Sequence, residues 1–290
     1  MKKLFFIAAT VCTILSSCSK SETPIEVTSK TPINLSVNQT TRANDTTYEN
    51  GDKVGIYVVN YTDATSPGTL AASGNHVDNM CFELKNSSWT PAETIYWLDK
   101  TTKADFYAYY PYSASANISA HSFSVMADQS AEANYWASDF LWGKATSAPK
   151  ATVDITTNHV FSNVLINLVA GDGFTDADLT DAVVKVKNVK TSATINLATG
   201  VATATGSAAT ITPWKVDTSY RAMVVPQTIA SGTELISVTV DGVEYTLKLG
   251  ATFVANEQHT ITVTVDKSSN GVNMGVGGWG DGNDYSGDAE

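Results

Sequence analysis

Four histidines, His76, His121, His159 and His259, carry the widest chemical capacity in this chain, because imidazole titrates near neutral pH and ligates metals. None shares metal-ligand spacing with another, and none sits in an H-E-x-x-H frame. His159 opens an apolar run and His259 precedes one, so both are expected to hydrogen-bond at strand ends. There is no G-x-S-x-G nucleophile elbow, no phosphate-cradling glycine loop, and no cysteine beside a base. Asp281-Gly282-Asn283-Asp284 supplies oxygen donors, but its glycine and the terminal glutamate fall out of register with an EF-hand loop. A flexible acidic tail is the expectation there. The ring series Phe106, Tyr107, Tyr109, Tyr110 and Tyr112 could stack on sugars. In a strand, however, every second ring faces the other way, so at least one face is expected to be core. The residues therefore predict no catalytic site, no metal and no cofactor.

Cys18 is the remaining reactive position. Lys2 and Lys3 provide a charged start, Leu4 to Leu15 an apolar run, and Ser16 and Ser17 precede the cysteine. The run is too short for a bilayer core roughly 30 Å thick and has the layout of a secretory signal. With the polar Ser19-Lys20-Ser21-Glu22 after it, the site resembles a bacterial lipobox, in which the thiol is acylated and becomes the first residue of the mature protein. Residues 1–17 are thus expected to leave as a lipoprotein signal peptide. The remainder is expected outside the cytoplasm, attached through lipid on Cys18.

The elements that must hold such a chain together are strands. Charged residues make up 16% of the sequence, below the usual quarter, and Thr, Ala, Ser and Val are abundant. The net charge of −11 repels nucleic acid and anionic lipid, so neither is an expected electrostatic partner. Cys81 is the one cysteine beyond the signal region and lipidation site, so no internal disulfide is available. Ile33, Leu35 and Val37 alternate with polar residues as in a half-buried strand, and Thr40 to Asp45 interrupts them with a polar turn. Val54 to Val59 is nearly continuous and apolar, which predicts a strand buried on both faces. Val160 to Val169 reads as a long strand. Leu235–Val240 and Val243–Leu249 flank Asp241-Gly242, a pair suited to a type I′ hairpin turn because both positions need φ above zero. Leu197-Ala198-Thr199-Gly200 reads as a second hairpin turn, and Ile261, Val263 and Val265 as a further strand. No dozen-residue segment has a helical period; Thr175 to Ala182 is expected to form a turn or two. The chain is predicted to be all-β, as two sandwiches divided near Ser147-Ala148-Pro149-Lys150.

Several segments in order resemble the fimbrillin family of Bacteroidetes surface proteins. They are Gly51-Asp52-Lys53-Val54-Gly55-Ile56-Tyr57, Trp97 with Asp105 to Tyr112, Asp139-Phe140-Leu141-Trp142-Gly143, His159 to Val164, Val224 to Thr228, Tyr245 and Trp279. The resemblance implies two transthyretin-like β-sandwich domains in tandem, an outer-membrane lipoprotein precursor, and assembly into surface fimbriae by strand exchange with other fimbrial subunits. It also implies a trypsin-like protease that cuts between Arg42 and Ala43. That cut would release residues 18–42, a propeptide containing the Ile33/Leu35/Val37 strand, and leave domains at 43–148 and 149–290. A neighbour's C-terminal segment, with Val272, Met274 and Val276 alternating as the donor strand, would fill the opened groove. A host or bacterial surface receptor is a further implied partner. The rival expectation is a monomeric, lipid-anchored glycan-binding protein using Trp89, Trp136 or Trp214.

Overall fold

A computed structural model describes residues 30–39 and 47–267, together with the backbone of 274–278 and 285–287. The strands, in chain order, are β1 (Leu35–Gln39), β2 (Lys53–Asn60), β3 (Val77–Lys85), β4 (Ser88–Pro91), β5 (Ala104–Tyr110), β6 (His121–Ser124), β7 (Leu141–Ser147), β8 (Val153–His159), β9 (Ser162–Ala170) and β10 (Val183–Asn196). They continue with β11 (Val201–Ile211), β12 (Trp214–Val216), β13 (Ser219–Val224), β14 (Gln227–Ile229), β15 (Glu234–Val240), β16 (Val243–Lys248), β17 (Ala251–Phe253), β18 (Gln258–Val265), β19 (Met274–Gly278) and β20 (Tyr285–Gly287). One short helix, α1 (Glu132–Trp136), lies before β7.

The first sheet has the order β1-β8-β7-β5-β2-β3-β4, and its central strands β2 and β5 are covered on both faces. Side chains alternate across a strand, so Val54, Ile56 and Val58 of β2 join Phe106 and Ala108 of β5 in one apolar cluster. Their neighbours Tyr57, Val59, Tyr107 and Tyr109 point the other way, into a second and larger cluster. This explains the unbroken apolar run in β2, whose residues 54–59 are all buried. The second cluster fills the space between two further sheets. One has the order β11-β10-β15-β16, with β6 also paired to β10; the other has the order β12-β13-β9-β18-β19-β20. Val186 and Ile236 enter the cluster from the former and Ile166, Ile261 and Ala222 from the latter. The all-β prediction therefore holds, as do both predicted hairpins. Asp241 and Gly242 sit at φ 49° and 79°, the signs a type I′ turn requires.

The expected division at Ser147–Lys150 does not coincide with a change of sheet. Ser147 ends β7 and Ala148–Lys150 lie in its connection to β8, its antiparallel neighbour in one sheet with Leu141 opposite His159. Pro149 lacks a backbone donor and so marks a turn, but here the turn is internal to a sheet. The chain leaves the first sheet at Val160–Phe161, which also moves the start of the next strand from Val160 to Ser162. In the other direction β6, well before residue 148, pairs with β10 of the second sheet. Thr175–Ala182 forms successive turns, through Asp178 N–H to Thr175 O and Ala182 N–H to Leu179 O.

Two of the segments that carry the family resemblance explain each other. Gly55 lies opposite Tyr109 in the β2–β5 ladder, and a Cβ on Gly55 would run into the Tyr109 ring. The ring occupies that space because its hydroxyl donates to Asn79 Oδ1 at 2.7 Å and it stacks against Phe140, with centroids 6.1 Å apart. Gly55→Ala is expected to lower the unfolding free energy by about 1–3 kcal/mol, as overpacking does. In denaturant titrations the Gly55→Ala/Tyr109→Leu pair should cost less than the sum of its single changes.

Candidate functional site

The site begins with the alternation of β1. Ile33, Leu35 and Val37 are 2%, 6% and 3% exposed, while the alternating Asn34 and Asn38 face solvent. The three apolar side chains enter the first cluster with Val153 and Ile155 of β8 and with Ile95 and Trp97. Trp97 is fixed edge-on to Phe106, with centroids 5.4 Å apart. Burying three such side chains is worth about 5–9 kcal/mol in total. That is a large share of the stability of a typical domain.

Just before β1, Ile33 N–H donates to Ile95 O and Trp97 N–H to Thr31 O, both at 2.9 Å, while among the described residues β1 itself has one strand neighbour. It runs parallel to β8, with Leu35 opposite Val153 and Gln39 opposite Thr157. Side chains reinforce the ladder: Thr157 Oγ1 donates to Asn38 O at 3.2 Å and Asn34 Nδ2 to Ala151 O at 3.0 Å. On the opposite edge, Trp89 of β4 donates from Nε1 to Val37 O at 2.9 Å. β1 and β4 are the two ends of the first sheet, and a groove of about 640 Å³ runs between them. Asn34, Ser36, Asn38, Tyr48 and Trp89 are among its lining residues. Where the described chain resumes after β1, Tyr48 packs edge-on against Trp89 and Tyr110, at 5.1 and 5.6 Å. Its hydroxyl bonds Thr157 Oγ1 at 2.9 Å. Burial pushes that phenol above its ordinary range.

The remaining predicted site residues fall elsewhere. Cys18, Arg42, Ala43 and Val272 lie outside the described residues. Met274 and Val276 belong to β19, which pairs antiparallel with β18 at Val263 and Ile261. The donor candidate thus occupies the chain's own third sheet. Trp89 is half-buried and clamps β1. Trp136 and Trp214 meet each other, with centroids 6.4 Å apart, and Tyr135 lies 5.4 Å from Trp214.

The histidines serve packing and strand ends. His159 ends β8, and its Nδ1 lies 2.8 Å from Asp139 Oδ2. Asp139 Oδ1 accepts from Phe140 N–H at 2.9 Å, which ties the entry to β7 to the exit from β8 where the chain changes sheet. Asp139 is a partner that spacing alone did not single out. His259 Nε2 accepts from Val254 N–H at 3.1 Å, and His76 Nε2 lies 2.6 Å from Tyr96 O. Among the described residues no three His, Cys, Asp or Glu side chains converge as metal ligands. Burial raises the Cys81 thiol above its usual value, away from a reactive thiolate.

Comparisons with known proteins converge on one family. The model of the fimbrillin-like family matches residues 41–279. A candidate fimbrium subunit, Fim1C of Bacteroides uniformis, is 30% identical over 312 residues, covering 100% of both chains. A crystal structure of a candidate cell adhesion protein from Bacteroides uniformis superposes with a TM-score of 0.65 at 25% identity, over 86% of this chain and 97% of the other. A second such protein, from Bacteroides ovatus, has the same fold, with a TM-score of 0.65 at 16% identity over 90% and 98% of the two chains.

Two outcomes are expected from this geometry. Leu35→Ala should cost about 2–5 kcal/mol, the range for truncating a buried leucine, as measured by denaturant unfolding of the uncut chain. His121, between Tyr109 and Phe140 at 5.6 Å from each, has its pKa lowered from the ordinary 6.5 by burial. The folded chain therefore stays neutral there while the unfolded chain takes up a proton, so stability falls as pH drops below 6.5. His259, lowered mainly by burial as well, adds to the same slope. The urea midpoint should decline from pH 6.5 toward the carboxylate range, and His121→Leu should flatten that decline.

Proposed function

Because the chain belongs to the fimbrillin-like family, and is thus a fimbrial subunit of a cell-surface appendage, we propose that β1 is a placeholder that a neighbouring subunit replaces during assembly. The precursor is exported as an outer-membrane lipoprotein, anchored through lipid on Cys18. A trypsin-like protease cuts after Arg42, and residues 18–42 depart with the lipid and with Ile33, Leu35 and Val37. The neighbour's C-terminal segment then enters, placing Val272, Met274 and Val276 where that triad stood.

The observation that carries this reading is the position of β1. It is an end strand with one ladder neighbour, yet it fills the apolar face of the first sheet. Removing it exposes the Val153/Ile155 surface of β8 and a row of unpaired backbone groups, a state that is costly and captures another strand. Main-chain bonds supply the affinity of such an exchange and alternate side chains supply its register. The donor triad has the same every-second-residue spacing as the triad it replaces. Donation requires β19 to leave β18, so the neighbour's first sheet and the chain's own third sheet compete for one segment.

Mass analysis of the N-terminus of protein taken from assembled fibres should find Ala43. Arg42→Ala should retain the Cys18 terminus and abolish polymer. Polymer whose subunits still begin at lipidated Cys18 would contradict the proposal.

A further inference from the structure

Sheet edges are where strand proteins associate, and folded chains guard them with charge, proline or short length. In this structure β4 is four residues long and ends in Pro91, and β12 has three residues including Lys215. β16 carries Glu244 and Lys248, and Lys187 lies 3.4 Å from both Glu244 and Glu234. β11 carries neither charge nor proline, and its bulge lies beyond its first five residues. It is eleven residues long and ends the second sheet, with β10 as its neighbour. No charged residue occurs from Thr191 to Trp214, in a chain whose net charge is −11.

The edge is also rigidly presented and has a defined extent. At its start, Trp142 of the first sheet donates from Nε1 to Leu197 O at 2.7 Å. The same indole lies where a Cβ on Gly200 would fall, which pins the β10–β11 turn. At its far end, Ala127 and Gln129 bond to Thr212. Between them the ladder slips, from Ser192 opposite Thr205 to Lys190 opposite Ala208. The extra residue falls at Gly206–Ser207, where Gly206 has φ 77°. A bulge of this kind ends a regular edge. What remains is Val201-Ala202-Thr203-Ala204-Thr205. Ala202 and Ala204 pack toward the core, and Val201 and Thr203 face solvent. Val201 is 60% exposed, the highest value among the exposed large hydrophobic residues described.

We propose that this edge pairs with the same edge of a second copy of the chain, antiparallel, with the two-fold axis through Thr203. The sequence is complementary to itself in that register. Thr203 meets Thr203, Ala202 meets Ala204, and Val201 meets Thr205, so one face pairs β-branched side chains, with hydroxyl on hydroxyl at its centre, and the other pairs methyl with methyl. Two copies of an acidic protein repel each other over most of their surface; here the approach is free of charge. A two-fold contact of one patch with itself closes as a dimer and uses neither β1 nor the C-terminal segment.

Five residue pairs make a small interface, so the association is best trapped covalently. Opposed residues in an antiparallel ladder stand about 4.5–5.5 Å apart at Cα, inside the range a disulfide spans. The test uses the full chain with Cys12, Cys18 and Cys81 changed to serine and Thr203→Cys added. Its control carries Val243→Cys instead, on the guarded edge β16, at a site 52% exposed. Under the same mild oxidation the Thr203→Cys chain should form covalent dimer at least about tenfold faster, reflecting raised effective concentration. Adding Val201→Lys should bring it down to the control rate. Equal rates for the two cysteine positions, or a rate that Val201→Lys leaves unchanged, would overturn the proposal.

Discussion

The central strands of the first sheet, β2 and β5, are buried on both faces, and most of the remaining structure follows from that constraint. A strand covered on one side can spend every second residue on solvent; β2 and β5 cannot. Val54, Ile56 and Val58 require one apolar cover and Tyr57, Val59, Tyr107 and Tyr109 another. The second cover is supplied by the paired sheets of the C-terminal half, with β6 and Phe140 wedged at the junction. The first is completed by the curl of the sheet itself, where β1, Ile95 and Trp97 close over the inner face. The glycine at 55 is a consequence: with rings filling the opposite face, one position in β2 must give up its side chain to Tyr109.

The same constraint gives β1 its unusual standing. With Ile33 just before it, Leu35 and Val37 of β1 fill a cluster that would otherwise be open, yet among the described residues β1 has one ladder neighbour and a groove on its other side. The apolar gain from this strand, about 5–9 kcal/mol, is comparable with the net stability of a whole domain. An empty seat is therefore not a resting state, and loss of β1 has to be coupled to entry of another strand. In the proposed assembly, that coupling makes the cut both a release from the lipid and a trigger for polymerisation. In that assembly the segment proposed as donor starts out paired with β18 and has to leave it to exchange.

The sequence made the local parts legible. Alternation marked Ile33, Leu35 and Val37 as one buried face, the unbroken run in β2 announced two-sided cover, and Asp241-Gly242 declared its own turn. What it concealed was long-range. Parallel pairing of β1 with β8 leaves no turn between the partners, so nothing local identifies β8 as the seat. Pro149 signalled a turn truthfully, but a turn inside a sheet and a turn between sheets look alike in sequence. The Asp139–His159 pair spans twenty residues and joins two chain segments that only the folded sheet brings together. α1, at five residues, is too short to carry a helical period.

In the proposed assembly, the face of β8 now covered by β1 is the seat that a second strand takes. Amide hydrogen exchange at Val153 to Thr157 reads the state of that seat. Exchange there should be slow in the uncut chain. After trypsin cleavage and removal of residues 18–42, exchange should become fast. Protection should return when a peptide of residues 268–290 is added, and should fail to return with a peptide in which Met274 and Val276 are aspartate. Amides that stay protected after removal of residues 18–42, or that the unmodified peptide cannot protect, would rule out β8 as the seat of exchange.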